Sequence, residues 1–351
     1  MFFYFGIVFL LLFFSFLDFY KSSIANGIMF LILTIILIFI SGFRYGLETD
    51  YWSYWSIFHE VSKQKIELGY LFISDIIKVF TNNFNYFLLC IAILSLGIKC
   101  KVFSKLDYPF IALLLFFLRF FVFFELNGMR QGLATSFIIL ALYLLYKKQT
   151  ILSFFVMCIA MTIHISSGVF ILAYFMKDIK WNIKKIFITV TCFIIFRIYF
   201  LTPLVSILGI FTGVGNSMVV KATGYLLSNT IPSMSGMAVS IIRILLPVLC
   251  IYFLGIDKKN FFYFNMLIIA VFFNIAFLGM DTISYRLAMV FYSVEGIAVS
   301  QSIKNKSFKT IILIGIVIVL NLLPFYSTLS SSATAVPYRN YLFIDPNILR
   351  T

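Results

Sequence analysis

The sequence predicts an all-α polytopic membrane protein of about twelve transmembrane helices, and two observations carry that reading. The first is composition: 62% of the residues are apolar and only 11% charged, with a mean hydropathy of +1.07. A soluble domain holds about 25% charged residues, so this chain cannot clothe itself in a wetted surface. The second is punctuation, because lysine clusters interrupt the apolar runs at intervals that suit spans of about 20 residues. The 351 residues are therefore expected to form a single integral membrane domain over 1–351.

Each element follows in chain order. The run from Phe2 to Phe19 lacks a basic leader and is followed by Lys21, so it reads as a retained first span. Lysines then cluster at Lys21, Lys99 to Lys105, Lys147 and Lys148, Lys177 to Lys185, Lys258 and Lys259, and Lys304 to Lys309. By the positive-inside rule these six clusters share the cytoplasmic side, and each neighbouring pair must enclose an even number of crossings. Apolar runs near 25–43 and 84–98, 109–125 and 130–146, 186–202 and 238–255, and 261–279 and 286–302 satisfy that parity. Both termini then lie outside. The external segments are a loop over 44–83 with an interfacial helix, a loop over 203–237 and a C-terminal tail over 327–351.

Between Lys148 and Lys177 there is room for roughly one span, yet parity asks for two. The middle of that interval reads MTIHISSGVF, and a short broken helix pair reversing around His164 is predicted there. Polar backbone at membrane depth is tolerated beside protein or a water-filled cavity, so this turn is expected to line one.

The arginines sort differently from the lysines. Arg44, Arg119, Arg130, Arg197, Arg243, Arg286, Arg339 and Arg350 all avoid the lysine clusters and fall at external span ends, within spans or in the tail. A guanidinium fork suits bidentate phosphate or carboxylate binding better than an ammonium does, and charge inside a span usually faces a functional cavity. Some of these arginines could instead snorkel to headgroups or pair with Glu125, Asp281 or Glu295. Arg130, opening a span ahead of Gln131 and Gly132, would add its fork to a helix N-terminus. Arg44, Arg243 and Arg286 are the other candidate anion ligands.

Two residues compete for the role of general base. His164 sits at the forced turn beside Ser166 and Ser167 and could take a proton from a hydroxyl. Asp50 could do the same, or could simply cap the helix that runs on through Trp55. The stretch RYGLETDYWSYW at 44–55 follows an uncharged apolar run. Its Tyr51, Trp52, Tyr54 and Trp55 suit stacking against a ligand and also suit an interfacial aromatic belt. Tyr338 and Arg339 are expected to fold back over the cavity.

Several classes find no support. The five cysteines form no C-x-x-C pair and lie near no histidine at ligand spacing, so no metal site is expected. There is no glycine-rich nucleotide loop, and no cofactor is expected. The net charge of +14 is accounted for by the lysine clusters and needs no nucleic acid.

Taken together, RYGLETDYWSYW, NGMRQGLATSFIILAL, KKQTILSFFVMCIAMTIHISS, DTISYRLAMVFY and VPYRNYLF resemble, in order and spacing, the EpsG-like family of polysaccharide polymerases, related to the Wzy-type O-antigen polymerases. The resemblance runs from about Arg44 to Phe343. It implies a GT-C-like, inverting-type glycosyltransferase at the periplasmic face of the bacterial inner membrane, joining undecaprenyl-diphosphate-linked repeat units. The implied partners are that lipid-linked oligosaccharide, the bilayer and a chain-length regulator protein; the diphosphate would fall to Arg44, Arg130, Arg243 and Arg286, and the glycan to Tyr51, Trp52, Tyr54, Gln131, Tyr338 and Arg339. Glu48 departs from the pattern, which often has a small residue before Thr-Asp, so the matching acid is Asp50. Rival classes are a lipid-linked oligosaccharide flippase, an O-antigen ligase and a membrane acyltransferase. A flippase would tend to carry internal repeats, of which the sequence has none.

Overall fold

The computed structural model describes residues 1–19, 24–60, 66–201, 234–255, 261–278, 281–304, 306–331 and 335–343. Among these the architecture is helical, with one isolated backbone bridge between Arg44 and Asn340 and no named strand. The first helices are α1 (Phe2–Ser15), α2 (Ile24–Gly42), α3 (Tyr51–Phe58), α4 (Leu68–Phe80), α5 (Phe84–Phe103), α6 (Pro109–Phe116), α7 (Met129–Tyr146) and α8 (Thr150–Ile163). Six helical stretches among the described residues are long and apolar enough to cross a membrane: Phe2–Phe19, Ile24–Gly42, Phe84–Phe103, Pro109–Asn127, Met129–Tyr146 and Phe308–Ser330. Four further apolar helices are shorter, at Thr150–Ile163, Ile165–Met176, Ser240–Gly255 and Phe261–Ala276.

The chain divides into two compact units, Met1–Gly168 with Glu295–Thr351, and Val169–Val294. In the first, α7 packs along both α5 and α8, α5 along α2, and α6 against α1 and the helix Glu295–Ser302. Exposed Leu31, Ile35 and Phe39 on α2 give that helix an apolar outer face, as expected where lipid is the solvent. Small residues permit the closest approaches. A Cβ on Gly132 would lie 2.4 Å from the Phe124 carbonyl oxygen, and one on Gly69 would lie 2.8 Å from the Thr162 backbone carbon.

Ahead of α7 the chain widens into a π-helical stretch, Phe117–Asn127, which turns Glu125 inward. There Glu125 meets Lys99 at 2.7 Å, with side-chain exposures of 3% and 0%. Lys99 thus leaves the set of topology-marking lysines, because it is enclosed in the helix bundle. Removing one member of such a buried pair typically costs about 3–5 kcal/mol. Arg119 pairs with Glu295 at 2.7 Å, and Asn321 donates to the other Glu295 oxygen at 3.1 Å. Of the proposed arginine partners, Glu295 therefore takes an arginine and Glu125 takes a lysine.

In the second unit a buried Asn265 on the helix Phe261–Ala276 organises the turn after Met176. Its amide lies 2.7, 3.0 and 3.1 Å from the carbonyls of Met176, Lys177 and Ile179, and its oxygen accepts from the Trp181 indole at 2.6 Å. The predicted continuous span near 286–302 is instead two helices, Asp281–Tyr292 and Glu295–Ser302, separated by a turn at Ser293 and Val294. The break comes where Glu295 opens a new helix inside the first unit and must reach Arg119. Lys21, Lys258, Lys259, Arg350 and nearly all of the 203–237 loop lie outside the described residues.

Candidate functional site

The site is assembled from the segment after α2, the two helices that follow it, and the ends of α7 and α8. The 44–83 segment, where an interfacial helix is expected, holds the two short helices α3 and α4. Their Tyr54, Phe58 and Tyr70 enter one apolar cluster with Phe87, Leu133 and Ile163. That burial fixes where the polar groups between them sit.

α8 ends at His164, whose φ and ψ of −153° and 113° are extended. A short 3-10 turn, Ile165–Ile171, follows. The predicted interruption at His164 is present: its backbone N–H still bonds the Ala160 carbonyl at 3.0 Å, and the α-helix ends there. Opposite it stands Glu67, the residue before the first turn of α4. The close contact of Gly69 with Thr162 seats that end of α4 on the end of α8, which brings carboxylate and imidazole together. Glu67 Oε1 lies 3.1 Å from His164 Nδ1, and Glu67 Oε2 accepts from Arg130 Nη1 at 2.9 Å. Burial works to raise the Glu67 pKa, but the His164 hydrogen bond and the Arg130 charge outweigh it and hold the group at about 2. An ionised carboxylate can only accept, so Nδ1 carries the proton and Nε2 is left as the basic nitrogen.

Arg130 is also held by rings. Its guanidinium lies 5.6 Å from the Tyr54 ring centre and 5.9 Å from that of Tyr70, within cation–π range. Burial pushes the Tyr54 and Tyr70 hydroxyls up, against the opposing Arg130 charge, so both remain neutral donors at working pH. Arg44 is 2% exposed and donates from Nη1 to the Ser41 carbonyl at 2.7 Å and from Nη2 towards Met129 Sδ at 3.6 Å. Desolvation lowers its pKa, and Tyr51 and Glu125 oppose that shift. Arg44 Nε, Arg130 Nε and the Tyr70 hydroxyl are buried without a hydrogen-bond partner. Unsatisfied buried donors cost free energy; here three of them gather around two guanidinium groups.

The remaining candidates fall as follows. Asp50 is half-buried at the N-cap of α3, where its carboxylate makes no capping hydrogen bond and its backbone N–H donates to Asn127 Oδ1 at 3.2 Å. Of the aromatic set, Tyr51 is buried with its hydroxyl on Asn85, Tyr54 is buried beneath Arg130, and Trp52 is 52% exposed. Gln131 is buried. The C-terminal segment folds back along residues 43–45: Tyr45 N donates to the Arg339 carbonyl, Tyr341 N donates to the Phe43 carbonyl, and Tyr338 donates to the Ile40 carbonyl. The Arg339 side chain is exposed. Arg243 and Arg286 lie on helices of the second unit, Met234–Gly255 and Asp281–Tyr292, and Arg286 is exposed. The described constellation of Arg44, Glu67, Arg130 and His164 belongs to the first unit alone.

Glu67 is the member that sequence reading missed. It stands 97 residues from His164 and 63 from Arg130, within no motif. Its only local mark is the small Gly69 two positions on, which permits the close helix approach.

The family model described as the EpsG family matches residues 27–340. No curated protein and no solved structure matches the chain.

Proposed function

The chain belongs to the EpsG family, polysaccharide-related membrane glycosyltransferases or polymerases in the broad sense, and from that premise we propose that it is a Wzy-type polysaccharide (O-antigen) polymerase. It joins undecaprenyl-diphosphate-linked repeat units at the outer, periplasmic face of the bacterial inner membrane, in a bundle of about twelve crossings. The observation that carries the reading is the Glu67 carboxylate bridging Arg130 and His164 at 2.9 and 3.1 Å, beside a buried Arg44. Lipid-diphosphate transfer needs both halves of that arrangement.

The forks of Arg44 and Arg130 hold the diphosphate of the growing donor glycan and stabilise the charge that develops as it leaves. An acceptor hydroxyl on the incoming repeat unit gives its proton to His164 Nε2 and attacks the donor's anomeric carbon. The new C–O bond forms as the bond to the diphosphate oxygen breaks, with inversion, and undecaprenyl diphosphate departs. Glu67 keeps His164 in the tautomer that can accept a proton, the orienting role of a carboxylate in a catalytic triad. Asp50 and the exposed Trp52 are assigned the acceptor sugars.

The experiment is a deletion followed by analysis of surface glycan. A polymerase leaves single repeat units reaching the surface while long chains disappear. Complete loss of surface glycan would transfer the assignment to a flippase or ligase.

A further inference from the structure

The buried Lys99–Glu125 pair is not used by the chemistry above. The three protons of its ammonium are all committed, to Glu125 Oε1 at 2.7 Å, Ser95 Oγ at 2.6 Å and the Gly132 carbonyl at 2.7 Å. Gly132 stands two residues beyond Arg130. On the other side, the backbone carbonyl of Glu125 accepts from Ser41 Oγ at 2.9 Å, and the Ser41 carbonyl in turn accepts from Arg44 Nη1 at 2.7 Å. One ammonium thus ties together the two chain segments that present the guanidinium groups. We propose that Lys99 and Glu125 are positioning residues that hold Arg44 and Arg130 at the spacing a diphosphate requires. This rests on the diphosphate reading of the two arginines.

Stability alone is a poor reason for such a pair. Two charges enclosed in protein lose hydration that their mutual attraction only partly restores, and apolar residues of similar volume commonly serve the fold as well or better. An ammonium that fixes both the Gly132 carbonyl and the Glu125 carboxylate, whose own backbone carbonyl holds Ser41, supplies direction, which an apolar pair cannot. Gly132 belongs to the same arrangement, since only a residue without a Cβ lets that turn of α7 approach the Phe124 carbonyl and so present its own carbonyl to Lys99.

The test compares wild type with Lys99→Met/Glu125→Leu in detergent. Three quantities are read: thermal unfolding, hydrogen exchange over residues 43–50 and 127–133, and equilibrium binding of undecaprenyl diphosphate. The double variant is expected to unfold near the wild-type temperature, to exchange faster in both segments, and to bind about tenfold or more weakly, the range that outer-shell partners carry at other fixed sites. Wild-type exchange in a stable double variant would overturn the proposal. If the double variant does not fold, Ser41→Ala decides, because it cuts the link between Glu125 and the Arg44 segment without disturbing the ion pair. Faster exchange over 43–50 with weaker binding supports the proposal, and unchanged exchange overturns it. Arg44→Lys and Arg130→Lys are measured in parallel. Undiminished binding in both, with exchange altered in the double variant, would overturn the diphosphate reading and leave the positioning of the two segments standing.

Discussion

Replacing Glu67 by Gln asks whether one carboxylate organises the site. Two donors converge on it, Arg130 Nη1 at 2.9 Å and His164 Nδ1 at 3.1 Å, and both of its oxygens are occupied. Glutamine keeps the shape but offers one oxygen and one NH₂ group. If its oxygen stays on Arg130, the NH₂ faces His164 and favours the tautomer with the proton on Nε2. The base is then lost, a cost of about 10²–10⁴-fold in kcat. If its oxygen turns to His164, the NH₂ faces the guanidinium, and a charge-assisted bond of about 1.5–3 kcal/mol is lost. Side-chain exposures of 21–24% let water screen that loss, so the lower end applies, about tenfold in donor KM. Either orientation lowers kcat/KM, while protein level should hold, because Glu67 makes no capping hydrogen bond to α4. Steady-state kinetics on lipid-linked repeat units, with the glycolipid ladder as the cellular readout, measures both limbs. Wild-type kcat and KM in Glu67→Gln would refute the reasoning. The sign of the pH dependence is also fixed. A carboxylate lowered from 4.5 to about 2 contributes its stabilisation above the ordinary value and loses it as pH falls through about 2, so Glu67 adds no slope near neutrality.

Three further outcomes follow from the geometry. Arg130→Lys keeps the charge but gives up the fork and the planar face set against Tyr54 and Tyr70, so chain elongation should fall by at least about tenfold at normal protein level; near-wild-type chain length would remove Arg130 from the site. Asp50→Asn should insert and fold normally, since the carboxylate makes no capping bond, and should slow transfer by less than the about 10²–10⁴-fold expected of His164→Ala; the reverse ranking in a kinetic comparison would make Asp50 the base. Gly69→Ala would place a Cβ 2.8 Å from the Thr162 backbone carbon, forcing α4 away from α8 at a cost of about 1–3 kcal/mol; a lowered unfolding temperature together with reduced kcat is expected, and full activity would show that the Glu67–His164 contact does not depend on this approach.

Composition was enough to read the class, because a chain with 11% charged residues has few ways to fold outside a bilayer. The break at His164 was also legible, since too few residues separate Lys148 from Lys177 for two full spans. Lys99 misled for a physical reason: the positive-inside rule counts lysines in sequence, and nothing local distinguishes one facing water from one paired with Glu125, 26 residues away. The break at Ser293 was hidden because Glu295, two residues on, is buried against Arg119 and so carries no outward sign of a helix end. Glu67 could not be reached by pattern, as its role comes from two helices meeting at Gly69 and Thr162. The buried and exposed members of the Tyr51–Trp55 group likewise separate only once α3 has a face to pack.

The central claim is tested most directly by supplying the purified, reconstituted protein with undecaprenyl-diphosphate-linked repeat units alone. The account predicts products of two, three and more repeats, with one undecaprenyl diphosphate released for each bond formed and no ladder from His164→Ala. Lipid-linked units that cross the bilayer unchanged, with no new glycosidic bond and no diphosphate released, would contradict it.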